Sequence, residues 1–550
     1  MIAIMTLVLW LMAGISLAQT YPSLPVLGNI RCGESGSSQV TLASGGNLQA
    51  AIDAAPRRRT IYLEAVGAYA APVVLKSKAG TGCITIRTNT DDDLLPSYNR
   101  VAPGQVALMA KITAPGSNLT AIETENGASY YRLIGLEVTP VNGAAATSNL
   151  IVLGSTTQSS LSQVPHHIEL DRLYVHSAGT SSLKRCIELN SASTTIKNSY
   201  VSGCKNVGQD AQAIAGWTGP GPYSITNNYL EGSTENVLFG GADTTITNLI
   251  PSDIYFGQNY VAKPFAWRNP NDGLIVANGA WDSSTWAIKN LFELKSSKRV
   301  LIEGNIFEGS WPQGQSGYAL VFTVRNQDGA NPWNTVEDVT VRHNIVKDAT
   351  QGMQLFGADD TNSSQSTKRI HIHNNLWRNI GYPLTAVTDG YGRGILVIND
   401  IAPVANLIVE HNTFFQLGIP LSPGNDSANS KNTGLYWRNN IHWHNDYGIL
   451  GAGVGTGNST LNGYFTSPVY LGNAMVEQQF PASYPAGNFD PANLAAVGFT
   501  GVSDRFGAGT DWGLTGGSSL HNAGTDGTDV GINWPTVQTE TSIAVSGIPG

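Results

Sequence analysis

The stretch NLFELKSSKRVLIEGNIFEGS, Asn290 to Ser310, holds one full period of the pattern that decides the fold. Phe292 and Leu294 alternate with Glu293 and Lys295, so a short strand turns the first pair inward and the second outward. From Ile302 to Asn305 the chain reads as a β-former, two residues and an Asn, followed by the apolar pair Ile306-Phe307. An Asn or Gly between two short strands tolerates left-handed backbone and turns the chain sharply.

The same signature recurs on both sides. It stands at Ile168–Asp171, Thr195–Asn198, Ile225–Asn228, Phe256–Asn259, Val341–Asn344, Ile372–Asn375, Val409–Asn412 and Trp437–Asn440, with a looser copy at Arg132–Gly135. Successive copies are 27 to 46 residues apart. Strand–turn–strand units at such a period wind a parallel solenoid, each coil burying its inner face on its neighbours. Unequal steps mean compact coils with loops of unequal length. A sandwich would need antiparallel hairpins and two-residue turns, which are scarce here. The expectation is an all-β chain, a right-handed parallel β-helix.

The ends follow from this body. GNLQAAIDAA, Gly46 to Ala55, reads as a short amphipathic helix that caps the open N-terminal coil, and TIYLEAVGAY, Thr60 to Tyr69, as the strand and turn after it. Residues 1–18 are nearly all apolar and end in Ser16-Leu17-Ala18, which reads as a secretory signal peptide cleaved before Gln19; an uncleaved anchor is the alternative. Residues 19–125 are then cap and first coils, 126–445 the helical core, and 446–550 last coils and closing turns of one domain. SSLHNAGTDGTDVGIN, Ser518 to Asn533, falls in those closing turns.

Composition supports one exported all-β body. Charged residues make up 13%, Gly numbers 61, and the net charge is −9, which speaks against a nucleic-acid partner because phosphate binding needs a basic face. No segment after the leader is apolar enough to span a membrane. Four cysteines in an exported chain suggest two disulfides; Cys32–Cys83 with Cys186–Cys204 is the favoured pairing among three connectivities.

Leu48-Gln49-Ala50-Ala51-Ile52 before a strand, and the closing HNAGTDGTDVG from His521, resemble the opening and ending of pectate-lyase-like β-helix proteins. That resemblance spans most of the chain and implies the architecture alone, since unlike chemistries share it.

A second set of strands lies before the turns: Cys186–Asn190, Phe292–Lys295, Phe322–Arg325 and Met353–Leu355. Aligning Phe292 with Phe322 puts Lys295 and Arg325 in one outward column on successive coils, about 4.8 Å apart at the backbone. Two stacked cations call for an anionic ligand, or else for local neutralisation by Glu293 and Asp328.

Asn290–Ser310 followed by ALVFTVRNQDG, Ala319 to Gly329, resembles the chondroitinase-B and alginate-lyase family. The resemblance implies Lys295 as catalytic base and Arg325 as its partner. It also implies Ca²⁺, but of the family's glutamate pair only Glu293 is present, and Asn326 stands where the family has His-Gly. The implied reaction is β-elimination on a uronic-acid polymer. An Arg or a metal neutralises the carboxylate, and a base removes the neighbouring proton.

The expected substrate contacts are Glu293, Thr323, Asn326 and Gln354, with Trp311 and Trp333 from a Trp-rich set that also includes Trp217, Trp267, Trp281 and Trp286. Asp243 of Gly240–Asp243 and Asp359 of Gly357–Asp359, with Asp328 and Asp400 in similar places, offer a carboxylate line for Ca²⁺ or for hydrolytic acid–base work, and Glu293, Asp243 and Asp328 are the candidate Ca²⁺ ligands. Turn capping is the plainer role for such Asp residues. The leading expectation is a secreted, monomeric polysaccharide lyase acting on an acidic polymer. Its rivals are a glycoside hydrolase on the same fold and a glycan-binding β-helix without catalysis.

Overall fold

A computed structural model describes residues 19–92, 94–95, 99–116, 119–142, 147–179, 181–268, 286–382, 391–424 and 431–547. The apolar leader 1–18 and Trp281 lie outside these residues.

The coil quoted above sets the scheme. Phe292–Leu294 belongs to one sheet, Ser297–Glu303 to a second and Ile306–Ser310 to a third. Each strand pairs in parallel with its counterparts one coil away, and the sheets reach eleven, sixteen and thirteen strands. The chain is a right-handed parallel β-helix. Its inner faces share one core that runs from Leu48 and Ile52 of the N-terminal helix to Tyr470 and Met475. That helix, Leu48–Ala54, has Asn47 as N-cap and covers the first coil.

The repeated Asn plays a different part from the one its turn propensity suggested. Left-handed backbone falls on the residue before it: Asn227, Gln258, Gly304, His343, Asn374, His411 and Asn439 all have positive φ. Asn228, Asn259, Asn305, Asn344, Asn375, Asn412, Asn440 and Asn473 are buried instead, in a continuous ladder. In each step an Nδ2 donates to the next Oδ1, at 2.9 Å from Asn305 to Asn344 and from Asn344 to Asn375. The same Oδ1 also accepts the backbone N–H of the previous Asn. Only a primary amide both donates and accepts at this spacing, so the buried turn keeps its polar groups satisfied. Gly135 and Asn198, which the sequence placed at turns, do adopt positive φ.

Two segments outside the coils lie along the helix. Residues 19–36 run over the second sheet: Ser23 and Val26 donate their amides to Asp338 (3.0 Å) and Asp253 (2.9 Å). The two disulfides are Cys32–Cys83 and Cys186–Cys204, and the first pins this strap.

The C-terminal stretch continues the coils only as far as the strand Ala474–Val476. After it the chain runs back along the turn column. Phe506 O accepts from Asn379, Gly531 N donates to Asn439 O, and Gly547 O accepts from Asn227 Nδ2. The turns expose a row of polar groups, and this segment covers them. It ends in the helix Trp534–Ser546, capped by Asn533 and buried through Trp534, Val537 and Ala544. No helix among the described residues is long and apolar enough to cross a membrane.

Candidate active site

The outer face of the eleven-stranded sheet carries the residues the sequence singled out. Its register pairs Phe292 with Leu320, Glu293 with Val321 and Leu294 with Phe322. Lys295 therefore extends opposite Thr323, and the expected common column with Arg325 is off by two residues. A slip of two leaves every inward residue inward, so alternation cannot detect it. The two residues still meet through the main chain just beyond the strands, where Arg325 N donates to Lys295 O at 2.9 Å.

Lys295 is shaped by two glycines on the preceding coil. Gly240 and Gly241 hold φ of +90° and +87°, and Phe239 O accepts the Lys295 amide. A Cβ on Gly241 would come within 3.1 Å of Lys295 Cδ, so the lysine stem lies across this bare backbone. Its Nζ stands 3.7 Å from Glu293 Oε1, with side-chain exposures of 17% and 2%.

Glu293 belongs to a network that the sequence reading missed. Its Oε2 accepts from Asn290 Nδ2 at 3.0 Å. Burial pushes the carboxyl up to about 7, helped by the charge of Glu235 and opposed by Lys295 and the Asn290 amide. Glu235 is fully buried too, but Lys289 and Lys295 outweigh its desolvation and hold it below the usual carboxylate range, with Gln212 donating at 2.8 Å. Lys289 reaches Glu235 at 3.2 Å and Asp210 at 2.7 Å. Glu235 and Asn290 sit in the bends leading into strands, where period-two reading assigns no direction. Their only sequence cue is the run of polar residues ahead of Val237 and Phe292.

The other expected contacts disperse. Gln354 shares the column of Glu293 through Val321 and is half-buried. Thr323 is buried. Arg325 is held by Asp360, with Asp359 Oδ1 3.6 Å away, so these aspartates, not Asp328, neutralise it. Asn326 is buried in loop scaffolding, donating its amide to Asp359 at 2.6 Å and accepting from Asn331 at 2.7 Å. Trp311 is buried against Trp267, Trp286 and Ile288. Trp333 is half-buried and donates to Leu249 O.

Glu293, Asp243 and Asp328 do not form a calcium cage. Asp243 Oδ2 accepts the amides of Asp328 and Ala330, which is turn capping. Asp359 does the same for Thr361 and Asn362. Glu293 faces Asn290 and Lys295, and no group of three acidic, His or Cys side chains among the described residues is placed to hold a metal.

Fold and face together define a β-helix protein with a cluster of charged side chains on one sheet. No protein-family model matches the chain, and no curated protein matches its sequence. Among solved structures it is similar to a mannuronic acid specific polysaccharide family 6 lyase from human gut microbiota, 11% identical over 83% of this chain and 91% of that one, TM-score 0.44. It is also similar to pectate lyase Pel9A, 12% identical over 91% and 97%, TM-score 0.34. A GH87 alpha-1,3-glucanase from Streptomyces thermodiastaticus is 10% identical over 84% and 71%, TM-score 0.39. Likeness at this level is one of architecture and assigns no activity.

Proposed function

We propose that this protein is a secreted polysaccharide lyase that cleaves a uronic-acid polymer by β-elimination, with Lys295 as base and Arg325 as carboxylate clamp. The observation that carries the reading is the setting of Lys295. Its stem lies over bare glycine backbone on the outer face of the sheet, beside a carboxyl that burial pushes up to about 7 and one main-chain hydrogen bond from Arg325.

A lysine acts as base in its free amine form. It takes the proton from the carbon next to the sugar carboxylate. The C–H electron pair becomes the new carbon–carbon double bond, the bond to the glycosidic oxygen breaks, and the departing oxygen takes a proton back from the lysine. Arg325 stabilises charge building on the carboxylate by exchanging exposed Asp360 for substrate. Export rests on the apolar leader and the two disulfides. Calcium enters only as a condition of the assay.

The test is ultraviolet absorbance of the protein with alginate, pectate and chondroitin substrates, with and without Ca²⁺. A rise that Lys295→Ala abolishes supports the reading; full lyase activity in that variant or in Arg325→Ala sinks it.

A second reading has one observation in its favour. Glu235 and Glu293 are neighbouring acids pushed to opposite sides of the carboxylate range, the arrangement of a hydrolytic acid–base pair. Both are buried, so elimination by the more exposed lysine is favoured. New reducing ends without absorbance would reverse that order.

A further inference from the structure

On the same outer face, toward the N-terminus from Lys295, a groove of about 560 Å³ is lined by Arg185, Trp217, Lys184, Asn149 and Glu188. The Arg185 guanidinium lies 4.9 Å from the centre of the Trp217 ring. Its Nε is buried and meets no hydrogen-bond acceptor among the described residues. The acids of the groove are Glu123 and Glu188; Glu188 shares charge with Arg185, and its oxygens accept from Asn149 Nδ2 at 2.6 Å and from Asn190 Nδ2 at 2.9 Å. A planar, half-buried cation that lines a groove and stacks on an indole suits a carboxylate.

The place of this groove relative to Lys295 follows from the register. Glu188 pairs with Ala215, Ala215 with Leu238 and Leu238 with Glu293. Three strand spacings separate them, about 14 Å along the helix axis.

We propose that this groove is a subsite for a carboxylated sugar unit, with Arg185 taking the carboxylate and Trp217 the ring, several units along the chain from the bond that is broken. The assignment rests on the reading that an acidic polymer lies along this face. It adds the direction of that polymer, parallel to the helix axis, and an anchor remote from the chemistry. Binding energy gathered there raises affinity for long chains over short ones.

The experiment is titration calorimetry of the full chain carrying Lys295→Ala with hexamannuronate and hexagalacturonate, and with cellohexaose as neutral control, followed also by tryptophan emission. One hexauronate is expected to bind, with affinity falling about ten-fold or more in Arg185→Gln. Added salt should weaken it, and Trp217→Phe should remove the emission change. Arg185→Lys, which keeps charge without the fork, should recover part of the affinity. Binding unchanged by Arg185→Gln, equal binding of cellohexaose, or no binding of either hexauronate overturns the subsite. Arg185-dependent binding by a chain whose Lys295 form never cleaves would keep the subsite and overturn the lyase reading. Cleavage abolished by Lys295→Ala, with binding indifferent to Arg185, would do the reverse.

Discussion

Lys295 Nζ stands 3.7 Å from Glu293 Oε1, at a carboxyl that burial pushes up to about 7. The pair is thus looser than a hydrogen-bonded salt bridge, and its charge changes with pH in the neutral range. Between the ordinary value of 4.5 and about 7, the folded protein keeps a proton on Glu293 that the unfolded chain has released. Stability from this group is therefore full below the ordinary value and falls as pH rises toward 7. Glu293→Gln should flatten that decline and gain about 1–3 kcal/mol at pH 8 relative to pH 4. Urea unfolding at both values measures it, and an unchanged pH slope would count against the raised carboxyl. Glu235 acts in the opposite sense, its contribution being lost as the solution becomes more acidic than the ordinary carboxylate value.

Lys295→Ala should lower elimination by about 10²–10⁴-fold. Gly241→Ala tests the same geometry while leaving the lysine itself in the chain. The added methyl meets Lys295 Cδ at 3.1 Å and must adopt φ +87°, a strain of about 1–2 kcal/mol. Activity should fall well beyond what that modest loss of stability explains. Steady-state rates beside melting curves separate the two effects.

Asp360 is 46% exposed at its side chain and competes for Arg325. Asp360→Asn should lower KM for an acidic polymer a few-fold and leave kcat nearly unchanged. Arg325→Ala should lower kcat/KM. A rise in KM for Asp360→Asn would mean that the aspartate positions the arginine for work.

Asn344→Ala removes the acceptor for Asn305 and the donor to Asn375 and Ile302 O, so several buried groups lose partners. A cost of about 2–4 kcal/mol is expected in chemical denaturation. Gln258→Gly, at a neighbouring left-handed position of φ 58°, should stay within about 1 kcal/mol of the parent. Equal costs at the two kinds of position would refute the division of labour between them.

Cys32–Cys83 closes a separation of 51 residues and Cys186–Cys204 one of 18. Chain entropy assigns about 4 and about 3 kcal/mol to them. Cys32→Ser should also expose the strap at residues 19–36 to protease before the coils unfold. Simultaneous cutting throughout the chain would argue against a separately pinned strap.

How far the sequence could be read differs between coil and groove. Phe292, Leu294, Ile302 and the Asn that follows announced the solenoid because their burial repeats with the chain's own period. The disulfide pairing, one of three connectivities left open by the sequence, is the favoured one, Cys32–Cys83 with Cys186–Cys204. Trp311 and Asn326 misled as substrate contacts because an indole or an amide suits a loop interior as well as a sugar. Glu235 and Lys289 escaped because the bends that place them have no period.

The sequence by itself determined which strand residues face the core, since alternating apolar side chains at a fixed period have one economical arrangement; that the Asn at each turn is buried came only from the stacking of coils. The tertiary structure alone decided which outward residues stand side by side. Parallel strands can slide by two residues and keep every apolar side chain inside, so only packing between coils set Lys295 opposite Thr323 rather than Arg325. It also decided where the C-terminal segment lies, because the row of polar groups that the segment covers exists only once the coils are stacked.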